Sequence, residues 1–147
     1  SPYFSVFLAS QVKMKDKGFL SKDITVQNLI TYRGDIHHIF PRQYLRKNGL
    51  KRGQYNQIAN YVYMQSEINI KIGDRAPNVY FEELRKQCSV RALQYGGITD
   101  PQALRENLLM NSIPEDIFSM DISDYEDFLR KRRLLMSKKI RECYSSL

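Results

Sequence analysis

The chain contains no tryptophan and only two cysteines and two histidines. Cys88 and Cys143 stand alone, with no Cys-x-x-Cys pair, which argues against a structural zinc knuckle and fits a reducing cytoplasm. No apolar run approaches the ~18 residues of a membrane span, so none is expected. The N-terminus has no basic stretch leading into an apolar one, so no secretory signal is expected and the location read from the sequence is cytoplasmic. No Gly-x-x-x-x-Gly-Lys-Ser/Thr loop or other phosphate-cradling motif is present, so nucleotide hydrolysis has no seat in these residues. Internal repeats and low-complexity segments are absent too. The sequence opens without Met and reads as a cut fragment or a processed product.

What remains is enough for one domain with a real core: 147 residues, 42% of them hydrophobic. The net charge of +7 points first to phosphate-rich partners, although an ordinary basic domain fits it as well. Tyr3, Phe4, Phe7, Leu8 and Val12 fall at helical spacing after Pro2, which predicts a helix to about Met14. Ser21 or Asp23 would cap a second short helix carrying Val26, Leu29 and Ile30. Gly34 precedes an extended segment, Asp35-Ile36-His37-His38. Pro41 would start a helix over 42–47, stopped by Asn48-Gly49, and one helical turn is expected within 54–59. Tyr61-Val62-Tyr63-Met64 reads as a strand. Ser66 would cap a helix through Ile72, ended by Gly73.

Beyond Pro77 the pattern is helical. Tyr80, Leu84, Cys88, Ala92 and Tyr95 predict one helix running to Gly96-Gly97. Asp100-Pro101 opens another, and Pro114 breaks the chain. From Ser123 a final helix carries Tyr125, Phe128, Leu129, Leu135, Met136, Ile140, Cys143 and Tyr144. Arg130, Lys131, Arg133, Lys138, Lys139 and Arg141 are expected on its outer face, a solvated surface or a DNA contact. The expected fold class is α+β, mostly helical, with a small pair of strands between flanking helical segments 2–33 and 77–147.

The two histidines are adjacent. Neighbouring side chains on a strand point to opposite faces, so His37 and His38 are placed for different tasks. His37-His38-x-x-Pro41, followed by Asn60, Asn69 and Ile72-Gly73-Asp74-Arg75-Ala76-Pro77, resembles the HNH, or ββα-metal, family of nucleases over residues 34–77. The flanks Asp16-Lys17-Gly18-Phe19-Leu20-Ser21 and Phe128-Leu129-Arg130-Lys131-Arg132 resemble the C-terminal region of GmrSD-type modification-dependent restriction proteins. The resemblance implies a single nuclease domain with a ββα-metal motif embedded among helices. It implies His37 and Asn69 as metal ligands and His38 as general base. Asn60 would match the middle Asn of the motif, bonding loop backbone and holding His38 in orientation. The cofactor implied is a divalent cation, Mg²⁺ or Mn²⁺, with Ni²⁺ or Zn²⁺ compatible with the same ligand types. Many members carry Asp at the position of His37, and others carry a further His where this chain has Gly73.

Around that motif, Asp35 would accept a hydrogen bond from a histidine or stand as a solvated strand-end carboxylate. Lys71 and Arg75 would reach phosphate oxygens or form a solvated helix face. Arg42, Lys47, Lys51 and Arg52 would line a DNA path. The function implied is DNA phosphodiester hydrolysis in bacterial restriction or phage defence, leaving 5′-phosphate and 3′-hydroxyl ends. The partners implied are DNA and an N-terminal nucleotide-hydrolysing domain of the same protein. Two other readings remain open at this point: a nucleic-acid-binding module with a decayed site, and a metal-stabilised helical interaction domain.

Overall fold

A computed structural model describes residues 2–32 and 34–146. Ser1, Arg33 and Leu147, at the ends of the expected segments, lie outside the described residues. Helix α1 (Pro2–Lys13) is followed by α2 (Val26–Thr31), strand β1 (Asp35–His38), α3 (Arg42–Lys47) and α4 (Arg52–Tyr55). A 3-10 turn at Ile58–Asn60 leads into strand β2 (Tyr61–Met64) and then α5 (Ser66–Ile72). The chain continues through α6 (Pro77–Val90), α7 (Pro101–Met110), 3-10 turns at Glu115–Ser119 and Ile122–Asp124, and α8 (Tyr125–Ser145). The fold is mostly helical α+β, and its two strands pair antiparallel, Asp35 opposite Met64 and His38 opposite Tyr61. Among the described residues no helix is long and apolar enough to cross a membrane.

The strand pair sits on an aromatic core. Phe40, two residues past His38, is fully buried. Its ring lies 4.9 Å from that of Phe128 and 5.2 Å from that of Tyr125, both on α8. Tyr80 on α6 is equally buried and donates from its hydroxyl to the Ile39 carbonyl at 2.6 Å. A buried tyrosine needs such a partner, and this one fixes the chain where it leaves β1.

Several boundaries differ from the sequence expectation. The N-cap of α2 is Thr25, which forms a capping box with Asn28, while the Ser21 hydroxyl bonds Gln65 Oε1 at 2.6 Å. The expected turn within 54–59 is divided between α4 and the following 3-10 turn. Gln65 stands at the cap of α5 and Ser66 is already helical. Helix α6 stops at Val90, with Arg91 left-handed, although the apolar spacing continues to Tyr95. The Gln87 side chain accounts for the stop: its Oε1 accepts from the backbone N–H of both Gln94 and Tyr95 at 2.8 Å. Its Nε2 donates to the Ile98 carbonyl at 2.6 Å. Tyr95 is therefore buried from an irregular segment, not from a helix face. Helix α8 begins at Tyr125, behind a 3-10 turn capped by Asp121.

Lys139 also departs from expectation. It is buried, not on the outer face of α8, and pairs with Asp16 at 2.5 Å. Burial raises the Asp16 pKa, and the hydrogen bond and charge of Lys139 pull the other way.

Gly34 is required by a close approach at the entrance to β1. A Cβ there would stand 2.3 Å from Leu29 Cβ and 2.8 Å from the Leu29 carbonyl oxygen. Its N–H donates to that same carbonyl. Gly34→Ala must displace backbone, and urea denaturation is expected to show a loss of about 1–3 kcal/mol. A loss under ~0.5 kcal/mol would show that β1 does not depend on this contact.

Candidate functional site

The register sets the two faces of the strand pair. Asp35, His37, Val62 and Met64 share one face, where Val62 and Met64 are buried. Ile36, His38, Tyr61 and Tyr63 share the other, which is half-open. The adjacent histidines thus address different environments, as strand alternation requires.

Asn60 locks the ends of the pair together. Its Oδ1 accepts from the Phe40 N–H at 2.8 Å, and its Nδ2 donates to the Phe40 carbonyl at 3.0 Å. Its own carbonyl accepts from the Ile39 N–H at 2.9 Å. The residue is fully buried, so these bonds satisfy an amide that water cannot reach. Asn60 therefore holds the turn that leaves β1, and it makes no bond to the His38 ring among the described contacts.

A side chain distant in sequence supports the same corner. Arg132 on α8 is fully buried. It donates from Nη1 to the carbonyls of Ala59 at 3.0 Å and Tyr61 at 2.5 Å. Its Nη2 donates to the Asn111 carbonyl at 3.1 Å. No carboxylate pairs with it among the described residues. Burial pulls its pKa down to about 9, which still leaves it protonated at neutral pH. Three carbonyls, with the Phe7 ring 5.7 Å from the guanidinium, take the place of a counter-ion.

His37 is half-buried, and among the described residues its Nε2 is buried without a hydrogen-bond partner. Burial lowers its pKa, the charge of Asp35 raises it and His38 lowers it, with a net shift downward. His38 bonds through Nε2 to Asn56 Oδ1 at 3.1 Å. Its ring meets Tyr61 and Tyr55 edge-on, at 5.3 and 6.4 Å between centroids. Burial lowers the His38 pKa, the Asn56 bond raises it and the charge of Arg42 lowers it, again with a net shift downward. Both shifts favour the neutral imidazole. A neutral imidazole is the form that binds a metal and the form that accepts a proton.

Asn69 lies on α5, half-buried, and its side-chain amide has no hydrogen-bond partner among the described residues. Among the described residues it makes no hydrogen bond to either histidine. Gly73, at φ +60°, ends α5 one turn later and donates its N–H to the Asn69 carbonyl. Asp35 is exposed and acts on His37 by charge without a hydrogen bond. Arg42 is exposed and close enough to His38 for its charge to count. Lys51, Arg52 and Lys71 are exposed. Arg75 is committed locally: it donates to the Lys71 and Ile72 carbonyls at 2.6 and 3.1 Å and lies 3.5 Å from Glu83. Lys47 pairs with Asp74. On α8, Lys131 is held by Asp116 and Asp127, and Arg130 by Asp127. Among the described residues no three His, Cys, Asp or Glu side chains gather as a metal cluster.

Two supporting residues escaped the sequence reading. Arg132 falls at helical spacing within the stripe Tyr125, Phe128, Leu129 and Met136, so a cation in an apolar stripe was the available signal. Asn56 carried no such signal, because its position depends on how α4 ends.

No family model and no solved structure matches the chain. Over 107 residues, 71% of its length, the chain is 26% identical to the uncharacterized protein MJ0686 of Methanocaldococcus jannaschii. The chain spans 17% of the length of that curated relative.

Proposed function

We propose that this chain is a metal-dependent DNA endonuclease domain of the HNH, or ββα-metal, type. The observation that carries the reading is the division of labour in β1. His37 has a buried Nε2 without a partner among the described residues, and its neighbour His38 is hydrogen-bonded on the opposite, half-open face. The order β1, β2, α5, with Asn69 on the helix, supports it.

A buried nitrogen without a partner fits a metal site better than a packed core, where buried polar groups find partners. His37 and Asn69 would hold the ion. A divalent cation there, Mg²⁺ or Mn²⁺, would stabilise charge on the phosphoryl and leaving oxygens. His38 would take a proton from water. The water oxygen would then bond to phosphorus as the P–O3′ bond breaks, and the departing 3′ oxygen would take a proton from solvent, giving 5′-phosphate and 3′-hydroxyl ends. Asn60, Tyr80 and Arg132 keep β1 and β2 in place during this step. Arg42, beside His38, and the exposed Lys51, Arg52 and Lys71 would meet DNA phosphates. The biological setting we propose is bacterial restriction or phage defence. In it, a nucleotide-hydrolysing domain elsewhere in a longer protein governs cleavage.

The test is nicking of supercoiled plasmid in Mg²⁺, Mn²⁺ or chelator, run beside calorimetric metal titration. The wild-type chain should nick only with metal. Asn69→Ala should bind metal more weakly and lose cleavage, partly recovered at higher metal concentration. Unchanged metal affinity in Asn69→Ala would remove Asn69 from the ligand set. Binding without metal-dependent nicking by the wild type would favour the decayed nucleic-acid-binding module.

A further inference from the structure

Asn56 stands at the C-cap of α4, where its backbone N–H, not its side chain, bonds the Arg52 carbonyl. The residue is exposed. Among the described residues the one side-chain partner of Asn56 is His38, with Oδ1 3.1 Å from Nε2. An amide oxygen can only accept, so Nε2 carries the proton of the neutral ring. The lone pair is then left on Nδ1. Tyr55, adjacent to Asn56, and Tyr61, opposite His38 in the sheet, flank the same ring edge-on. The ring is thus fixed in tilt by two aromatic neighbours and in tautomer by one amide.

We propose that Asn56 is a positioning residue for His38, holding the Nε2–H tautomer so that Nδ1 receives the proton of the attacking water. The proposal rests on the nuclease reading for its chemistry, while the tautomer it requires is the one that the Asn56 Oδ1 contact selects before any substrate binds. In the step itself the O–H bond of water breaks and the proton goes to Nδ1. The oxygen bonds phosphorus as the P–O3′ bond breaks, and the leaving 3′ oxygen takes a proton from solvent. Asn56 touches none of the reacting atoms. Its exposed side chain has no core role, so its replacement leaves the fold in place.

Long-range ¹H–¹⁵N correlation spectra at pH 8 read the tautomer of each histidine, and the chain has only two. Wild type should show His38 as Nε2–H. Asn56→Leu should mix the two tautomers and lower kcat by about 10–100-fold, the range for lost orienting partners. KM and metal affinity should hold. Asn56→Asp, which also can only accept, should restore both tautomer and rate. An Nδ1–H tautomer in wild type would overturn the proposal, because the amide would then be donating. An unchanged His38 tautomer in Asn56→Leu would overturn it too. The expected tautomers in a wild-type chain that does not cleave would sink the nuclease reading and leave the positioning role supported.

Discussion

Replacing His38 by alanine is expected to cut DNA cleavage by at least two orders of magnitude while leaving metal binding nearly intact. General-base catalysis is worth about 10²–10⁴-fold, and no other imidazole on the half-open face can take the role. His37→Ala should behave differently, losing metal affinity and activity together. The pair of variants separates proton transfer from metal binding, and calorimetry beside single-turnover nicking reads both. The comparison belongs near pH 8, where an ordinary histidine is neutral.

The pH profile gives a second handle on the same residue. Burial holds the His38 pKa below its ordinary 6.5, so the neutral base persists as pH falls past that value. The acid limb of kcat/KM should therefore lie below 6.5, and activity should fall as pH drops through the lowered pKa. A near-wild-type rate in His38→Ala, with normal metal binding in His37→Ala, would remove both assignments.

Arg132→Ala should be strongly destabilising, at about 3–5 kcal/mol. It leaves the carbonyls of Ala59, Tyr61 and Asn111 without their donor and opens a void beside Phe7. That is a large part of the ~5–15 kcal/mol that holds a typical domain together. Arg132→Lys should recover only part of the loss, because a point ammonium cannot reach three carbonyls as a planar fork does. Urea denaturation measures both. A loss under ~1 kcal/mol in Arg132→Ala would mean that water replaces the guanidinium and that β2 stands without it.

The elements around the histidines were legible because their signals are local. Residues 35–38, 42–47 and 61–64 fold as their β-prone runs, Pro41 and Asn48-Gly49 indicate. The opposite facing of His37 and His38 followed from strand alternation alone. What could not be read depends on contacts across the fold. Tyr95 sits at a helical interval from Tyr80 and Cys88, and only the reach of Gln87 shows why α6 ends before it. Lys139 read as a surface cation because its partner, Asp16, lies at the far end of the sequence. Arg132 was hidden for the same reason, since its acceptors are backbone carbonyls near β2. Asn56 reaches His38 only once α4 has turned the chain.

The support that Arg132 gives has a consequence for the order of synthesis. The ribosome makes domains from the N-terminal side, so His37, His38, Asn60 and Asn69 all emerge before α8 does. Until then the carbonyls of Ala59 and Tyr61 lack their donor, and Phe40 lacks Phe128. A nascent chain therefore carries every proposed reacting group on an unfinished scaffold. The corner that joins β1 to β2 is completed only when α8 docks.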